Sequence, residues 1–246
     1  MAKTTPEDIS PVIASLEKRS YKKKNAYPSV TQVLNVLRKA GLEYWFKINT
    51  AAFCDEKSAK GKEIGTQAHD AIQAHIEERE VKVETQYADE VMNALKSFML
   101  FKKEHPEITL HKSEMEMTDE VHKYNGTLDV TAEIAIGDIA VVAVGDWKTG
   151  EAKDNPAPRV YDEHKAQLSA YIKAYNRING QNVEKGFIVV LAKDKVAYAL
   201  YVMEKDEIDA EFENVFLPAL KISNYQRRDV LRKAEEKNAN ISKNAV

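Results

Sequence analysis

Residues 126 to 150 decide the fold. Gly126-Thr127-Leu128-Asp129-Val130 begins one apolar run, and a second closes on Val144-Gly145-Asp146-Trp147-Lys148-Thr149-Gly150. Each run reads as a strand with a carboxylate at its end, and a lysine stands two residues beyond the second. Successive side chains on a strand take opposite faces, so Asp146 and Lys148 point one way and Trp147 the other. Two acids and an ammonium then share one small patch. Such a patch can hold a divalent metal, position a phosphate and support an attacking water, the parts that phosphodiester hydrolysis needs.

Working outward, residues 108–117 alternate as a further strand and, with 126–134 and 139–147, suit an antiparallel meander. Residues 160–178 carry Val160, His164, Gln167, Tyr171, Tyr175 and Ile178 along one helical face. Two short apolar strands follow at 186–192 and 196–202, split by Lys193-Asp194-Lys195 as in a hairpin. From Glu204 onward the pattern is helical and ends in a polar tail. Upstream, residues 7–19 and 31–47 have helical apolar spacing, with Ser29 or Thr31 as the cap of the second after Pro28. Residues 51–80 read as a long helical region in which Gly61 and Gly65 mark either a break or a close backbone approach. Another helix spans 91–104 and ends near Pro106. The expected architecture is α/β: a central mixed β-sheet flanked by α-helices, plus an N-terminal helical region. We expect one domain over 1–246, with 1–105 mainly helical, 106–203 forming sheet and helix, and 204–246 supplying C-terminal helices and tail.

At 246 residues and 43% hydrophobic, the chain can bury a proper core. It contains nothing close to the roughly 18 uninterrupted apolar residues of a membrane span. The start, Met1-Ala2-Lys3-Thr4-Thr5-Pro6-Glu7-Asp8, has neither a signal-peptide apolar region nor an acid-poor transit composition. The expectation is a cytoplasmic protein, in the host cytoplasm if the source is viral, without a membrane partner. Cys54 is the sole cysteine, which rules out an intrachain disulfide and any cysteine-ligated zinc or iron–sulfur cluster built from this chain alone.

A net charge of -3 gives no global attraction for nucleic acid, so contact with phosphates rests on local charge. Lys18, Arg19, Lys22, Lys23 and Lys24 form one basic run, and Arg227, Arg228, Arg232 and Lys233 another. Each is either a phosphate contact or a solvated face. Arg159, after the loop Asn155-Pro156-Ala157-Pro158, is a further candidate. Tyr44, Trp45 and Phe46 offer stacking platforms for unpaired bases, although core packing is the expectation for at least two of them.

Four segments stand in order: Gly65-Thr66-Gln67-Ala68-His69, Gly126-Thr127-Leu128-Asp129, Asp146-Trp147-Lys148-Thr149 and Gln167-Leu168-Ser169-Ala170-Tyr171. Together they resemble the GxxxH, GxxD, DxK and QxxxY signature of RecB-like nucleases in the PD-(D/E)XK superfamily. The resemblance covers about residues 28–175. Its opening, Tyr27-Pro28-Ser29-Val30-Thr31-Gln32-Val33-Leu34, is similar to the PSVT-type segment of phage-encoded members and of mitochondrial genome maintenance exonucleases. Any one motif is weak, whereas all four in order, two of them on adjacent expected strands, are specific.

The resemblance implies a restriction-endonuclease-like core and one or two Mg or Mn ions. Asp129 and Asp146 are then the leading metal ligands, joined by the main-chain carbonyl of Trp147. His69 matches the family's histidine ligand, and an imidazole predicts good activity with Mn. His75, close by, has no motif support. Glu114 sits at the family's interval before Gly126 and is preferred over Glu116 as the third acid. Lys148 matches the catalytic lysine, orienting or helping to deprotonate water and offsetting transition-state charge. Gln167 and Tyr171 lie one helical turn apart, the former expected to reach Lys148 or a phosphate and the latter to pack beneath the site or contact DNA.

The implied protein is a metal-dependent DNA exonuclease of recombination, repair or replication, acting on a free single-stranded end and working with a replication or recombination protein partner. A structure-specific or flap endonuclease is the alternative, and a non-catalytic DNA-binding accessory is the alternative of another class. The single cysteine excludes the iron–sulfur branch of the family. With no GxxxxGK[ST] motif, unwinding has to come from a partner.

Overall fold

The computed structural model describes residues 27–83, 85–229 and 232. The helix expected at 7–19, the basic run at 18–24 and Lys233 with the tail lie outside them. The elements in order are α1 (Val30–Leu34), α2 (Ala40–Ile48), α3 (Ala51–Ile76), α4 (Ala88–Glu104), β1 (Ile108–Asp119), β2 (Tyr124–Ile136) and β3 (Ile139–Gly150). They continue with α5 (Asp162–Asn179), β4 (Lys185–Ala192), β5 (Tyr198–Glu204), α6 (Lys205–Glu211), a π-helical turn (Phe212–Phe216) and α7 (Leu217–Gln226). Among the described residues no helix is long and apolar enough to cross a membrane.

The sheet is mixed, as the sequence predicts. Its order is β1-β2-β3-β4-β5, antiparallel throughout except where β3 runs parallel to β4. A parallel pair needs a long crossover, and α5 supplies it. Helices cover both faces. On one, Ala68 and Ile72 of α3 and Phe98 and Phe101 of α4 pack on Val130, Trp147 and Phe187. On the other, α1, α5 and the C-terminal helices pack on Leu128, Val144 and Ile188. β4 is buried on both sides, which is why Phe187 to Ala192 reads as a continuous apolar run rather than an alternating one. This is the α/β layering of a restriction-endonuclease-like core.

Three expectations are corrected here. The helix expected over 31–47 is two helices, because a turn closes after α1 through Val36 N–H to Val33 O and Leu37 N–H to Leu34 O. The start of α1 is moored to β2, where Asn125 N–H donates to Pro28 O at 2.8 Å, and a Ser29–Gln32 capping box fixes its first turn. The turn then folds Val36 and Leu37 onto the core that α1 already covers, which a straight helix would not do. Second, of the two readings of Gly61 and Gly65 the break does not occur: α3 runs unbroken through both. Third, the aromatic triplet is not core: α2 buries no residue, and Tyr44 and Phe46 are 64% and 50% exposed. Its rings meet each other and α3 instead, Trp45 lying 5.1 Å from Phe46 and 6.2 Å from Phe53 between centroids.

Gly145 shows how tightly side chains of the adjoining strands β2 and β4 fill the space beside β3. A methyl group there would overlap the Phe187 ring and stand 2.7 Å from Val130. Both neighbours are fully buried and have no room to retreat. Gly145→Ala is therefore expected to destabilise the fold by about 1–3 kcal/mol, the scale of core overpacking, read as a lowered midpoint in urea unfolding.

Candidate active site

The site lies where β2 and β3 part. Their pairing ends at Val130 opposite Gly145, yet β3 continues beside β4 to Gly150 and β2 continues beside β1 to Tyr124. Asp129 and Asp146 are the first residues beyond the last pair. A parted ladder leaves backbone donors to be satisfied. The Trp147 N–H finds the Asp129 carboxylate, donating to Oδ2 at 2.8 Å. The Trp147 ring points to the opposite face, edge-on to Phe98 at 5.3 Å and Phe101 at 5.8 Å.

α3 delivers His69 across the fork. Ala68 and Ile72 bury its inner face, and Gly65, one turn earlier, lies beside Thr149, whose Oγ1 is 3.5 Å from where a Cβ would stand, an ordinary contact distance. His69 Nδ1 is 3.7 Å from Glu114 Oε1 and 3.9 Å from Asp129 Oδ2, and donor atoms of all three lie within 4.8 Å of one another. Burial by itself lowers the imidazole pKa, but the Asp129 carboxylate and the Glu114 contact outweigh it and raise it. The two acids hold a proton on His69 as they would hold a cation.

Glu114 reaches this cluster through an irregular backbone. The β1–β2 register shifts between Leu110 and Ser113, and Glu114 takes φ +51°, a left-handed conformation that a glutamate adopts only under constraint. Simple alternation, which puts Glu114 and Glu116 on equal terms, does not hold here. Both line one cleft of about 640 Å³ with His69, Asp129 and Tyr171, and only Glu114 belongs to the cluster.

Asp146 sits beside the cluster rather than in it. Its side chain is fully buried, Lys148 Nζ lies 2.5 Å from its Oδ2, and neither oxygen has a well-directed hydrogen bond. Burial pushes this carboxyl upward against the pull of Lys148, and Asp129 adds to the rise. Burial works on Lys148 in the opposite sense, but the Asp146 and Asp129 carboxylates outweigh it and raise its pKa, so the ammonium is retained. Lys148 also donates to the Trp147 carbonyl at 3.2 Å. Two carboxylates and an imidazole, with the buried Asp146 carboxyl adjoining them, suit a hard divalent cation.

On the far wall, Gln167 does not reach Lys148. Its amide donates to the Tyr171 hydroxyl at 2.8 Å, and the Tyr171 ring lies on Gly126, where a Cβ would stand 2.8 Å from a ring carbon. The GxxD glycine and the QxxxY tyrosine are thus one packing unit. Burial, followed by the charges of Asp146 and Asp129, raises the Tyr171 phenol well above its ordinary value, so it stays protonated. Sequence reasoning missed His164, one turn before Gln167 on the same face. Burial pushes its imidazole down to about 4, and Lys148 adds to the fall while Asp146 opposes it. Its position on the Gln167–Tyr171 face was the available signal.

The remaining candidates scatter. His75 packs edge-on against Phe98 at 5.7 Å, away from the cluster. Arg227 is 4% exposed and so unavailable as a surface phosphate contact, while Arg228 lies over Tyr225. Arg159 is exposed, its guanidinium 5.4 Å above the Tyr161 ring.

A scan against protein-family models finds no match, and no curated protein matches the sequence. Among solved structures the chain is similar to the crystal structure of SSO0001, at 19% identity over 55% of this chain and 60% of that one, with a TM-score of 0.30. It spans about three fifths of that protein's length. It is also similar to an alkaline exonuclease, LHK-Exo from Laribacter hongkongensis, at 12% identity over 87% of this chain and 94% of that one, with a TM-score of 0.41. For LHK-Exo in complex with dAMP the values are 11%, 85%, 94% and 0.39.

Proposed function

We propose that the protein is a metal-dependent deoxyribonuclease that hydrolyses phosphodiester bonds at a free single-stranded DNA end, serving recombination, repair or replication in the cytoplasm. The observation that carries this reading is the strand fork, which gathers His69, Glu114 and Asp129 next to the buried Asp146–Lys148 pair. His69, Glu114 and Asp129 would hold Mg or Mn, with Asp146 adjoining. A divalent ion held there supplies Lewis acidity toward a phosphoryl oxygen and toward the attacking water.

The chain's own groups have separable tasks. Lys148 keeps its proton, so it acts through charge, offsetting the negative charge that grows on the phosphoryl oxygens. His164 stays neutral and leaves Asp146 to Lys148. The Gln167–Tyr171 hydrogen bond and the Gly126 contact hold one wall in shape. The exonuclease mode and the preference for single strands draw on the resemblance of the four motifs to compact RecB-like members.

The test is digestion of linear end-labelled and circular single-stranded DNA with Mg, Mn or chelator. We expect cleavage of the linear strand with either ion, more with Mn because an imidazole joins the carboxylates, and none with chelator. The circle should remain intact. Cutting of the circle would establish the endonuclease reading instead, and inertness with both ions would favour a DNA-binding accessory.

A further inference from the structure

A second cleft, of about 950 Å³, opens between the corner at 37–42, Trp45 and the start of α5. It adjoins the candidate active site through α5: the Tyr161 ring lies edge-on to His164 at 5.5 Å, and His164 stands one turn before Gln167 on the helix that forms the site's far wall. Trp45 and Tyr161 both line it, the latter 48% exposed. Arg38 and Lys39 also line it but are held by Glu43 at 2.9 Å and Glu163 at 3.0 Å. Arg159, stacked over Tyr161, is paired with no described carboxylate. Asp162 and Glu163 stand on the rim.

Two aromatic rings and one guanidinium that no described carboxylate neutralises, in a cleft whose other charges nearly cancel, do not make an electrostatic groove for a duplex. They suit unpaired bases, whose faces are free to stack, with one phosphate for the cation. We propose that this cleft binds unpaired nucleotides of the strand being cut, bases stacking on Trp45 and Tyr161 and a phosphate resting on Arg159. The inference deepens the nuclease reading and rests on it for the course of the strand toward Lys148.

The test is fluorescence anisotropy of a labelled oligo-dT, and of an abasic strand of equal length, in chelator so that nothing is cut. Trp45→Ala and Tyr161→Ala should each weaken oligo-dT binding about tenfold or more, with little effect on the abasic strand. Arg159→Gln should lower the salt dependence of binding by the equivalent of one phosphate, a slope change of about 0.7. Of the two tryptophans Trp147 is buried, so quenching by oligo-dT reports Trp45.

Parent-like affinity in both aromatic variants overturns the proposal, as does equal affinity of the parent for the abasic strand and oligo-dT. So does a Trp45→Ala variant that changes only the oligomeric state. If Trp45→Ala fails to fold, Tyr161→Ala, at a half-exposed position, decides. Stacking-dependent binding by a protein inert with Mg and Mn supports the cleft and sinks the nuclease reading. Cleavage by a protein whose binding ignores both rings sinks the cleft alone.

Discussion

Lys148→Ala is expected to lower the single-turnover rate on linear DNA by on the order of 10²–10³-fold, the scale of removing one preorganised charge from a buried site. The same substitution should leave a pH signature in stability. In the parent, Lys148 restrains the upward shift of the Asp146 carboxyl. Without it, burial and Asp129 act unopposed, and the folded-state pKa rises further above the unfolded value near 4. A carboxyl whose folded pKa is raised binds more protons in the folded state, so stability falls as pH rises through that range. His69 responds with the same sign, since losing Lys148 raises its imidazole too. The loss of stability relative to the parent should therefore be larger at pH 8 than at pH 5, measured by urea unfolding. Equal losses at both pH values would mean that Asp146 does not depend on Lys148, and the charge role assigned to the lysine would fall with it.

The parts of this site legible in sequence are those governed by strict local geometry. Period-two alternation puts Asp146 and Lys148 on one face and Trp147 on the other, and the fold obeys it because β3 is paired regularly with β4 there. Helical spacing likewise puts Gln167 and Tyr171 on one side of α5. What escaped the sequence depends on contacts far apart in the chain. The left-handed backbone at Glu114 lies just past a register shift between Leu110 and Ser113 against β2, and no local pattern announces either. The exposure of Tyr44 and Phe46 follows from the turn after α1, set by mooring to Asn125 ninety-odd residues away. Arg227 looked like one of a basic series until burial separated it from Arg228. His164 carries no motif, and its low pKa arises only once α5 lies against Lys148.

Asp129→Asn separates metal binding from folding more cleanly than any other change at the fork. The amide keeps an oxygen that can accept the Trp147 N–H, so the strand fork stays closed, while one negative charge leaves the group formed with His69 and Glu114. In chelator the variant should stay within about 1–2 kcal/mol of the parent, because the weaker hydrogen bond and the lost attraction to His69 and Lys148 are partly offset by relief of the repulsion with Asp146. The difference should emerge on adding Mn. A ligand present at a hundred times its Kd stabilises the folded state by about 2.7 kcal/mol, which for a chain of this size raises Tm by roughly 5–10 °C. The parent should show that rise, and Asp129→Asn should show little of it, together with a loss of cleavage on the order of 10³-fold. Thermal melts with and without Mn read the first effect even if no DNA substrate is ever cut. An equal Mn-induced rise in both proteins would show that the ion binds elsewhere, and His69, Glu114 and Asp129 would then be only a network of charges at a parted pair of strands.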